Sequence, residues 1–565
     1  MKKIIECVPN FSEGKNMEII RQITDEIEKM DGVKLLDVDP GVTTNRTVVT
    51  FVGTPDEVCE TAFRCIKKAQ ELIDMRQHKG DHPRFGATDV CPLVPVSNIT
   101  MEETAEYARK LAQRVGNELG IPVYCYENAA QTPIRRNLAN CRHGEYEGLK
   151  DRISTQEWKP DFGSDKFTET VAKSGATAVG ARDFLVAVNY NLNTTSTRRA
   201  NAIAFDVREK GRPKREGDTV TGKIVVDEKG NQVMIPGTLK GTKAIGWYIK
   251  EYGIAQVSMN ITNIAETSLH IAFEELVRCA ANRGIRITGC EIVGLLPKKV
   301  LIDAGKYFLA KQNRSLGVDE QEIIKIAVKS MGLDDLKPFI PKDKVIEYLL
   351  DAENKEEKLV DMTCTAFANE TASESPAPGG GSISAYMGAL GAALGAMVAN
   401  LSSHKAGWDS RWEEFSQWAE KGQQLKDELL FLVDEDTRSF NKIMDAFALP
   451  KGTEAEKGIR SAAIQQATKY AIEVPYRTME KAFEVFSLCK AMVETGNPNS
   501  VSDAGVGVLC ARAAVLGAFL NVKINAGSLK DKDFVNEITT KAQRLADDAQ
   551  RIENEVLAMV YKGIE

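Results

Sequence analysis

Two of the chain's five histidines lie close together in a segment rich in glycine and proline. These are His78 and His82, in RQHKGDHPRFGATDVCPLVPV at residues 76–96. Their spacing would suit two metal ligands on one helix face, but Pro83 disfavours the helical conformation at His82. The segment therefore favours a loop that enters a strand, in which a histidine of near-neutral pKa acts as general acid and base. A structural histidine and a metal ligand are the alternatives.

A second candidate for proton transfer is an aspartate on an apolar helix face. In residues 425–447, LKDELLFLVDEDTRSFNKIMDAF, apolar side chains recur at spacings of three and four with one gap, which Asp436 fills. Asp434 lies roughly 200° away around the helix and is predicted to be more exposed. Because burial raises the pKa of a carboxyl group, Asp436 is suited to proton transfer. The alternative is a structural hydrogen bond to another helix. The apolar positions are Leu425, Leu429, Leu432, Phe440, Ile443 and Phe447.

A run of three glycines precedes a long apolar stretch. Gly379, Gly380 and Gly381 follow Pro-Ala-Pro, and backbone N–H groups exposed at such a helix start favour an anion. Ser382 is predicted to be the N-cap. No Gly-Lys-Ser/Thr sequence follows, so the segment does not have the pattern of a nucleotide-binding P-loop. The alternative is a flexible helix start without a ligand.

The elements that must position these residues change in character along the chain. Up to about residue 335, β-type and helix-type stretches alternate, which predicts two α/β subdomains, each a sheet with helices, at residues 1–180 and 181–335. A polar excursion at residues 211–238 resembles a hairpin. A linker with two prolines and a charge run follows at residues 336–358. Strand signals then end, and residues 359–565 are predicted to form an all-α domain.

Composition narrows the classes of function. The 565 residues carry a formal net charge of −7, which argues against general nucleic-acid binding. The 11 cysteines are scattered without a Cys-x-x-Cys pair, which favours free thiols in a reducing, cytoplasmic compartment. Residues 383–401 are uncharged and near membrane-spanning length. Since they are rich in Gly and Ala and no second span is seen to pair with them, we expect a buried helix of a soluble protein and no membrane partner.

Several motifs in order resemble glutamate formiminotransferase. They are VPNFSEGKN, LLDVDPGVTTNRTVVTFVG, HKGDHPRFGATDVCPLVPV, PDFGSDKF with GATAVGARDFLVAVNYNL, and GWYIKEYGIAQVSMNITN, spread over residues 8–263. The resemblance covers nearly all of residues 1–335. It implies transfer of the formimino group from N-formiminoglutamate to N5 of tetrahydrofolate, with His82 as the catalytic histidine. It also implies a folate-binding stretch at residues 161–170 and neither a metal nor a nucleotide.

The chemistry assigns further candidate roles near His82. N5 must lose a proton as it attacks, and the glutamate nitrogen must gain one as it leaves, so one histidine can serve first as base and then as acid. Asp39, beside a predicted turn at Pro40-Gly41, either orients the imidazole or bonds its own backbone. Arg84 either binds a substrate carboxylate or lies on the surface. The other substrate-binding candidates are Asn10, Ser12, Glu13, Asp161, Phe162, Gly163 and Gly175, of which Ser12 could instead be a helix N-cap.

The C-terminal part resembles formiminotetrahydrofolate cyclodeaminase. The motifs are SPAPGGGS, LVDEDTRSF and SDAGVGVLCARAAVLGAFLNVKIN, and the resemblance covers roughly residues 360–565. It implies closure of N10 onto the formimino carbon with release of ammonia. The catalytic aspartate maps to Asp434 or Asp436, and the apolar stripe favours Asp436. Asn521 and Asn525 share a helix face, where they bind either the pterin edge or another helix.

These resemblances imply a bifunctional enzyme of histidine degradation that feeds one-carbon metabolism. Tetrahydrofolate, expected in its polyglutamylated form, acts as co-substrate, and a homo-oligomer is expected. Two alternatives stay open. The second domain could act as a methenyltetrahydrofolate cyclohydrolase, or the chain could be a non-enzymatic folate-binding scaffold.

Overall fold

The computed structural model describes residues 3–42, 44–80, 83–218, 221–351 and 358–565. The chain divides into two compact units, Met1–Ala304 with Met331–Glu353, and Gly305–Ser330 with Asn354–Glu565. The first unit holds the sheets and their helices, whereas the second is built from long helices. The predicted fold class, two α/β subdomains followed by a helical domain, is therefore confirmed. The boundaries predicted at residues 180, 335 and 358 stay predictions.

Strands of the N-terminal part form a mixed sheet. Among the described residues these strands are β1 Ile4–Cys7, β2 Asn10–Phe11, β3 Val33–Gly41, β4 Arg46–Gly53, β5 Thr88–Ser97, β6 Val123–Glu127 and β7 Thr177–Ala181. β1 and β2 lie one after the other between β4 and β5, and both pair antiparallel with these neighbours. β3 pairs antiparallel with β4 at one edge. β5, β7 and β6 run parallel at the other.

Helices cover one face of this sheet. They are α1 Met17–Glu28, α2 Pro55–Leu72 and α3 Met101–Leu119. Further along the chain come the short helices α4 Leu138–Cys141, α5 Leu149–Arg152 and α6 Glu169–Ser174. Because side chains alternate along a strand, Ile5 and Cys7 of β1 enter the core with α1, α2 and α3, while Glu6 lies on the opposite face. Asn16 caps α1, and a Thr100–Glu103 capping box begins α3, so both helices start where the sequence supplies a cap.

A second, antiparallel sheet follows in the first unit. Its four strands in the described chain have the order β11-β12-β8-β13, and β9 pairs with β10 in the polar excursion. The strands are β8 Val186–Leu192, β9 Arg212–Pro213, β10 Met234–Ile235, β11 Thr242–Ile249, β12 Ile254–Ile261 and β13 Ile287–Val293. Residues 305–330 of this stretch belong to the second unit. The helices along the stretch are α7 Thr197–Val207, α8 Leu269–Ala281, α9 Lys298–Lys311, α10 Glu320–Met331, α11 Pro341–Lys344 and α12 Ile346–Asp351. The last two lie in the segment predicted as a linker.

The C-terminal helices enclose one apolar core. They are α13 Cys364–Thr371, α14 Gly380–Ser403, α15 Trp412–Ala448, α16 Glu454–Thr495, α17 Val501–Ala526 and α18 Lys532–Ile564. Glycine allows α14 and α17 to approach closely, because a Cβ on Gly391 would lie 2.8 Å from the carbonyl oxygen of Gly507.

Two helices in the described chain are long and apolar enough to cross a membrane. They are Gly380–Ser403 and Pro498–Ala526, of which 61% and 50% of the most apolar window is buried within the protein. The expectation that no second such segment exists is wrong. Asp503 and Arg512 interrupt the apolar sequence of the second helix, but that helix is still apolar on average. Both helices contribute to the core around Ala389 and Val515.

Candidate functional sites

The segment that carries the two histidines is fixed at both ends. His82 itself lies outside the described residues. Before it, Asn45 Nδ2 donates a hydrogen bond to the carbonyl oxygen of Lys79 at 2.9 Å. After it, Ser12 Oγ donates to the carbonyl oxygen of Gly86 at 2.7 Å. Because Asn45 and Ser12 are both buried in the sheet region, the loop ends have little freedom.

His78 uses both of its ring nitrogens within the protein. Arg84 Nε, which can only donate, lies 3.3 Å from His78 Nδ1, so Nδ1 accepts. Nε2 then carries the proton and donates to the carbonyl oxygen of Asn45 at 2.8 Å. Burial lowers the pKa of His78, which keeps the ring neutral at pH 7. His78 therefore has the contacts of a structural histidine, and the acid–base role stays a prediction for His82.

Arg84 is buried and already engaged by carboxylates. Its two terminal nitrogens lie 2.7 and 2.8 Å from the oxygens of Glu147, and Glu145 lies 3.1 Å away. The hydrogen bonds that Arg84 donates to the Glu147 carboxylate raise the pKa of Arg84. A pocket of about 510 Å³ lies beside the pair. Its lining residues are Lys79, Gly80, Arg84, Gly144, Glu145 and Glu147. A substrate carboxylate would have to displace Glu147 to reach Arg84, whose binding role stays a prediction.

The residues from Asn10 to Glu13 make structural hydrogen bonds that the sequence did not indicate. Ser12 is not a helix N-cap, because Asn16 accepts the backbone N–H groups at the start of α1. The chain follows the sheet up to Ser12, whose hydroxyl is used by the histidine loop. Glu13 Oε1 accepts the N–H of Asn16 at 2.8 Å and so shapes the turn. Asn10 Oδ1 accepts from Arg46 Nε at 2.9 Å.

Asp39 lies in a strand, so the predicted turn at Pro40-Gly41 is wrong. Asp39 pairs with Val48, and the ladder with β4 continues through Gly41. The continued pairing moves the change of chain direction beyond Gly41. No imidazole among the described residues hydrogen-bonds to Asp39, and its orienting role stays a prediction.

The predicted folate-binding stretch is anchored to β6. Asp161 Oδ2 accepts the N–H of Cys125 at 2.7 Å, and Oδ1 pairs with Arg135 at 2.5 Å. Burial raises the pKa of Asp161, against the opposing effect of these two donors. Phe162 bridges to β6 through its backbone. Gly163 has a φ of +83°, and a Cβ there would lie 2.0 Å from a carbonyl oxygen, so only glycine fits.

Gly175 lies against the loop that carries the histidines. It is separate in the sequence from residues 161–163. Its φ is +66°, and a Cβ would lie 2.2 Å from the carbonyl oxygen of Phe85. Gly86 packs as closely on Ala176, where a Cβ would lie 1.9 Å from the carbonyl oxygen. This pair of glycines therefore lets the end of the loop lie on the start of β7.

A charged group that the sequence did not indicate also binds the loop that carries the histidines. Asp89 Oδ1 accepts the N–H of Phe85 at 3.1 Å, and Arg142 pairs with the same carboxylate at 2.5 Å. Burial and the nearby Arg142 lower the pKa of Arg46 to about 10. Arg46 and Asp89 lie within the motifs quoted for the resemblance. A single sequence does not indicate that they lie near Arg142 in the folded protein.

A second site forms where α14 begins. Ser382 Oγ donates to Asp436 Oδ2 at 3.0 Å, and a Cβ on Gly381 would lie 2.1 Å from Asp436 Oδ1. Ser382 is not the N-cap, because the helix starts one turn earlier with Gly379 in that position. The Asp436 carboxyl group thus lies at this helix start, and the anion-binding role of the glycine run stays a prediction. Burial raises the pKa of Asp436, and the hydrogen bonds from Ser382 oppose that shift.

Asp434 is buried as well, which contradicts the expected exposure. Only 8% of it is exposed, and its Oδ1 accepts the N–H of Leu359 at 2.7 Å. Burial raises the pKa of Asp434. The cause is a one-turn 3-10 helix, Leu359–Asp361, that covers this side of α15. The apolar stripe is also shorter than expected, since Phe440 and Phe447 are 42% and 49% exposed.

One of the two asparagines of α17 reaches the glycine run. A Cβ on Gly380 would lie 3.3 Å from Asn521 Nδ2, so Asn521 stands beside the start of α14. Asn525 Nδ2 instead donates to the carbonyl oxygen of Ala471 at 2.7 Å, which is an inter-helix bond. The structure therefore brings the glycine run, Ser382, Asp436 and Asn521 together, with Asn525 one turn further along α17.

The fold therefore holds two separate polar sites, one around an α/β loop and one at a helix start in the helical unit, which suits a protein with two activities. Within the described residues, no group of three or more His, Cys, Asp or Glu side chains is placed to hold a metal ion. Family models match three consecutive segments of the chain. Residues 4–182 match the formiminotransferase domain, N-terminal subdomain, and residues 187–351 match the formiminotransferase domain. Residues 363–544 match formiminotransferase-cyclodeaminase.

Similar proteins extend over the whole chain or over either part. The formimidoyltransferase-cyclodeaminase of Gallus gallus is 42% identical over 562 residues, 100% of this chain and 99% of that protein. The chain therefore belongs to the formiminotransferase-cyclodeaminase family. The glutamate formimidoyltransferase of Streptococcus pyogenes is 41% identical over 55% of this chain and 94% of its own. The methenyltetrahydrofolate cyclohydrolase of Methylorubrum extorquens is 37% identical over 36% of this chain and 97% of its own.

Proposed function

We propose that this protein transfers the formimino group from N-formiminoglutamate to N5 of tetrahydrofolate, releasing glutamate. It then closes 5-formiminotetrahydrofolate to 5,10-methenyltetrahydrofolate and releases ammonia. The observation that carries the proposal is the full-length similarity to a bifunctional relative, with a separate polar site in each matched part. Tetrahydrofolate is a substrate of both steps and carries the one-carbon group.

In the first step, His82 serves as base and then as acid. It takes the proton from N5 as N5 attacks the formimidoyl carbon, and it returns a proton to the departing glutamate nitrogen. The contacts of Asn45 and Ser12 support this role, because they fix both ends of the segment that carries His82. A general acid–base contribution of about 10²–10⁴-fold is typical of a well-placed histidine.

In the second step, Asp436 protonates the departing ammonia. N10 attacks the formimino carbon and passes its own proton to the imino nitrogen. The Asp436 carboxyl group gives that nitrogen a further proton, and the C–N bond breaks to release ammonia and leave the methenyl cation. Burial favours the protonated form that this role needs. The N–H and hydroxyl of Ser382 stabilise the carboxylate left behind, while Asn521 stands beside the glycine run where it can contact the pterin.

The finer features of the function are also proposals. We infer a cytoplasmic enzyme of histidine degradation that uses polyglutamylated tetrahydrofolate and assembles as a homo-oligomer. Most of the cysteines are buried, and all of them are free thiols, which supports the reducing compartment. Exposed apolar side chains on α15 and α17 support self-association. They include Phe431, Met444, Leu520 and Ile524, which are 51%, 52%, 67% and 76% exposed.

The test follows both products with purified protein, tetrahydrofolate and N-formiminoglutamate. Methenyltetrahydrofolate is measured by its absorbance and ammonia by a separate assay. Wild type is expected to make both products, His82→Ala to make neither, and Asp436→Ala to accumulate the formimino adduct. Arg64→Ala, on the exposed face of α2, is the matched control. A wild type that makes neither product would leave the folate-binding scaffold as the function.

A second candidate concerns the helical domain alone. The 37% identity to a methenyltetrahydrofolate cyclohydrolase favours hydrolysis of methenyltetrahydrofolate by this domain. The two reactions differ in their products, since only the cyclodeaminase releases ammonia from 5-formiminotetrahydrofolate. Supplying each compound separately to the protein therefore distinguishes them. Turnover of methenyltetrahydrofolate alone, without ammonia from the formimino compound, would replace the cyclodeaminase proposal.

A further inference from the structure

A second pocket lies in the helical unit, towards the end of α14 that is remote from Asp436. Its volume is about 420 Å³, and α14, α15 and the residue before α10 line it. Gly381, at the Asp436 site, and Asn400, at this pocket, are separated along one helix by roughly 28 Å at about 1.5 Å per residue. The pocket is therefore distinct from the site proposed for the cyclodeaminase step.

Asn400, which lines this pocket, carries a buried acceptor without a hydrogen-bond partner among the described residues. Asn400 Nδ2 donates to the carbonyl oxygen of Gly317 at 2.8 Å, which fixes the orientation of the amide. Asn400 Oδ1 is then buried, and no hydrogen-bond donor meets it among the described residues. Buried acceptors are nearly always paired in native proteins. A ligand that carries an N–H donor would satisfy this oxygen.

The charges at the pocket are balanced. Lys426 supplies one cation, and its ion pair with Asp427 at 3.1 Å is weak because the Asp427 side chain is 68% exposed. Asp319 supplies one carboxylate at the rim, oriented by a backbone N–H of α10 that Oδ1 accepts at 2.9 Å. Burial lowers the pKa of His404, so its imidazole is neutral at pH 7. One cation and one anion match a zwitterion better than a dianion.

The wall along α14 is apolar. Met397 and Leu401 lie one turn apart on α14 and are 38% and 46% exposed, so both can contact a ligand in the pocket. We propose that this pocket binds a zwitterionic amino acid with an apolar side chain, whose ammonium group donates to Asn400 Oδ1 and whose carboxylate pairs with Lys426. The apolar side chain packs on Met397 and Leu401.

Calorimetric titration of the full-length protein with L-leucine tests this proposal. Wild type is expected to bind one leucine per chain with saturation. 3-Methylbutylamine lacks the carboxylate and 4-methylpentanoate lacks the ammonium group, so each is expected to bind about tenfold more weakly. Asn400→Leu and Lys426→Gln should each raise the Kd of leucine about tenfold. Asp427→Asn is the matched control, because it removes a competing carboxylate and should preserve or strengthen binding.

Two further variants keep the outcome decisive. Ala393→Phe fills the pocket without removing a polar group, and it should abolish binding while the far-ultraviolet circular dichroism is unchanged. Asp436→Asn should bind leucine as wild type does. The absence of saturable binding at millimolar leucine would overturn the proposal. Binding that survives both Asn400→Leu and Ala393→Phe, or that N-formiminoglutamate displaces, would place the amino acid elsewhere and also overturn it.

Discussion

Ser382 Oγ donates a hydrogen bond to Asp436 Oδ2 at 3.0 Å, which joins the first turn of α14 to the middle of α15. The backbone N–H of Ser382 reaches the same carboxylate. Asp436 thus stands at the positive end of α14, where the helix dipole and two donors stabilise its charge while burial opposes it. The balance between these effects determines how readily the group gives up its proton.

Ser382→Ala should change the pH dependence of the cyclodeaminase step. Ser382 lowers the pKa of Asp436, so loss of its hydroxyl should raise that pKa further. The acid form is the active one, and the rate falls as pH rises through the pKa. The fall should therefore move to higher pH in the variant, measured as ammonia release from 5-formiminotetrahydrofolate. An unchanged or lower midpoint would argue against Asp436 as the acid.

Gly381→Ala should disable the second site by steric conflict. The new Cβ would lie 2.1 Å from Asp436 Oδ1, so the carboxylate must move. We expect ammonia release to fall at least about tenfold, since small displacements of catalytic groups cost up to about 10²-fold, while formimino transfer is kept. Gly458→Ala in α16 is the matched control, because a Cβ there meets no atom within 4 Å. Equal loss in both variants would contradict the steric account.

Ser12→Ala should weaken the histidine loop. The variant leaves the buried carbonyl oxygen of Gly86 without its side-chain donor, at a cost of about 1–3 kcal/mol. Formimino transfer should slow while the helical site keeps its rate on added 5-formiminotetrahydrofolate. Ser154→Ala removes a similar bond at an exposed position and serves as the control. If transfer is as fast in Ser12→Ala as in Ser154→Ala, the anchoring role is refuted.

Glu6→Gln should remove a pH dependence of stability. Burial raises the pKa of Glu6 from 4.5 to about 7, so the folded protein keeps a proton that the unfolded chain loses above pH 4.5. The free energy of unfolding of the wild type should therefore fall as pH rises from 4.5 to 7, by up to about 3 kcal/mol at about 1.4 kcal/mol per unit.

Denaturant unfolding at pH 5 and pH 8 measures this difference. The free energy of unfolding of Glu6→Gln minus that of wild type should be larger at pH 8 than at pH 5, because glutamine does not titrate. Glu28→Gln changes an exposed glutamate at the end of α1 and should leave the difference near zero. A parallel response of Glu6→Gln and wild type would show that Glu6 does not titrate in this range.

The sequence determined the order of the architecture, because hydrophobic periods of 2 and 3.6 report directly which face of a strand or helix is buried. It also indicated the residues at the second site, since a polar residue in an apolar helix stripe needs a reason. That Asp436 meets the glycine run is shown by the fold and is not indicated by either pattern. The candidate residues of the first site could be named from motifs, but their contacts could not.

Only the tertiary structure decided which polar and charged side chains already have partners within the protein. Asp434 is buried by Leu359, 75 positions earlier, and Arg84 is held by Glu147, 63 positions later. His78 is occupied at both nitrogens, and Ser12 supports a loop more than 70 residues further along the chain. Such partners come from distant segments that packing brings together, whereas local sequence records only the period and chemistry of one segment. Burial, pKa and hydrogen bonding therefore depend on the assembled fold.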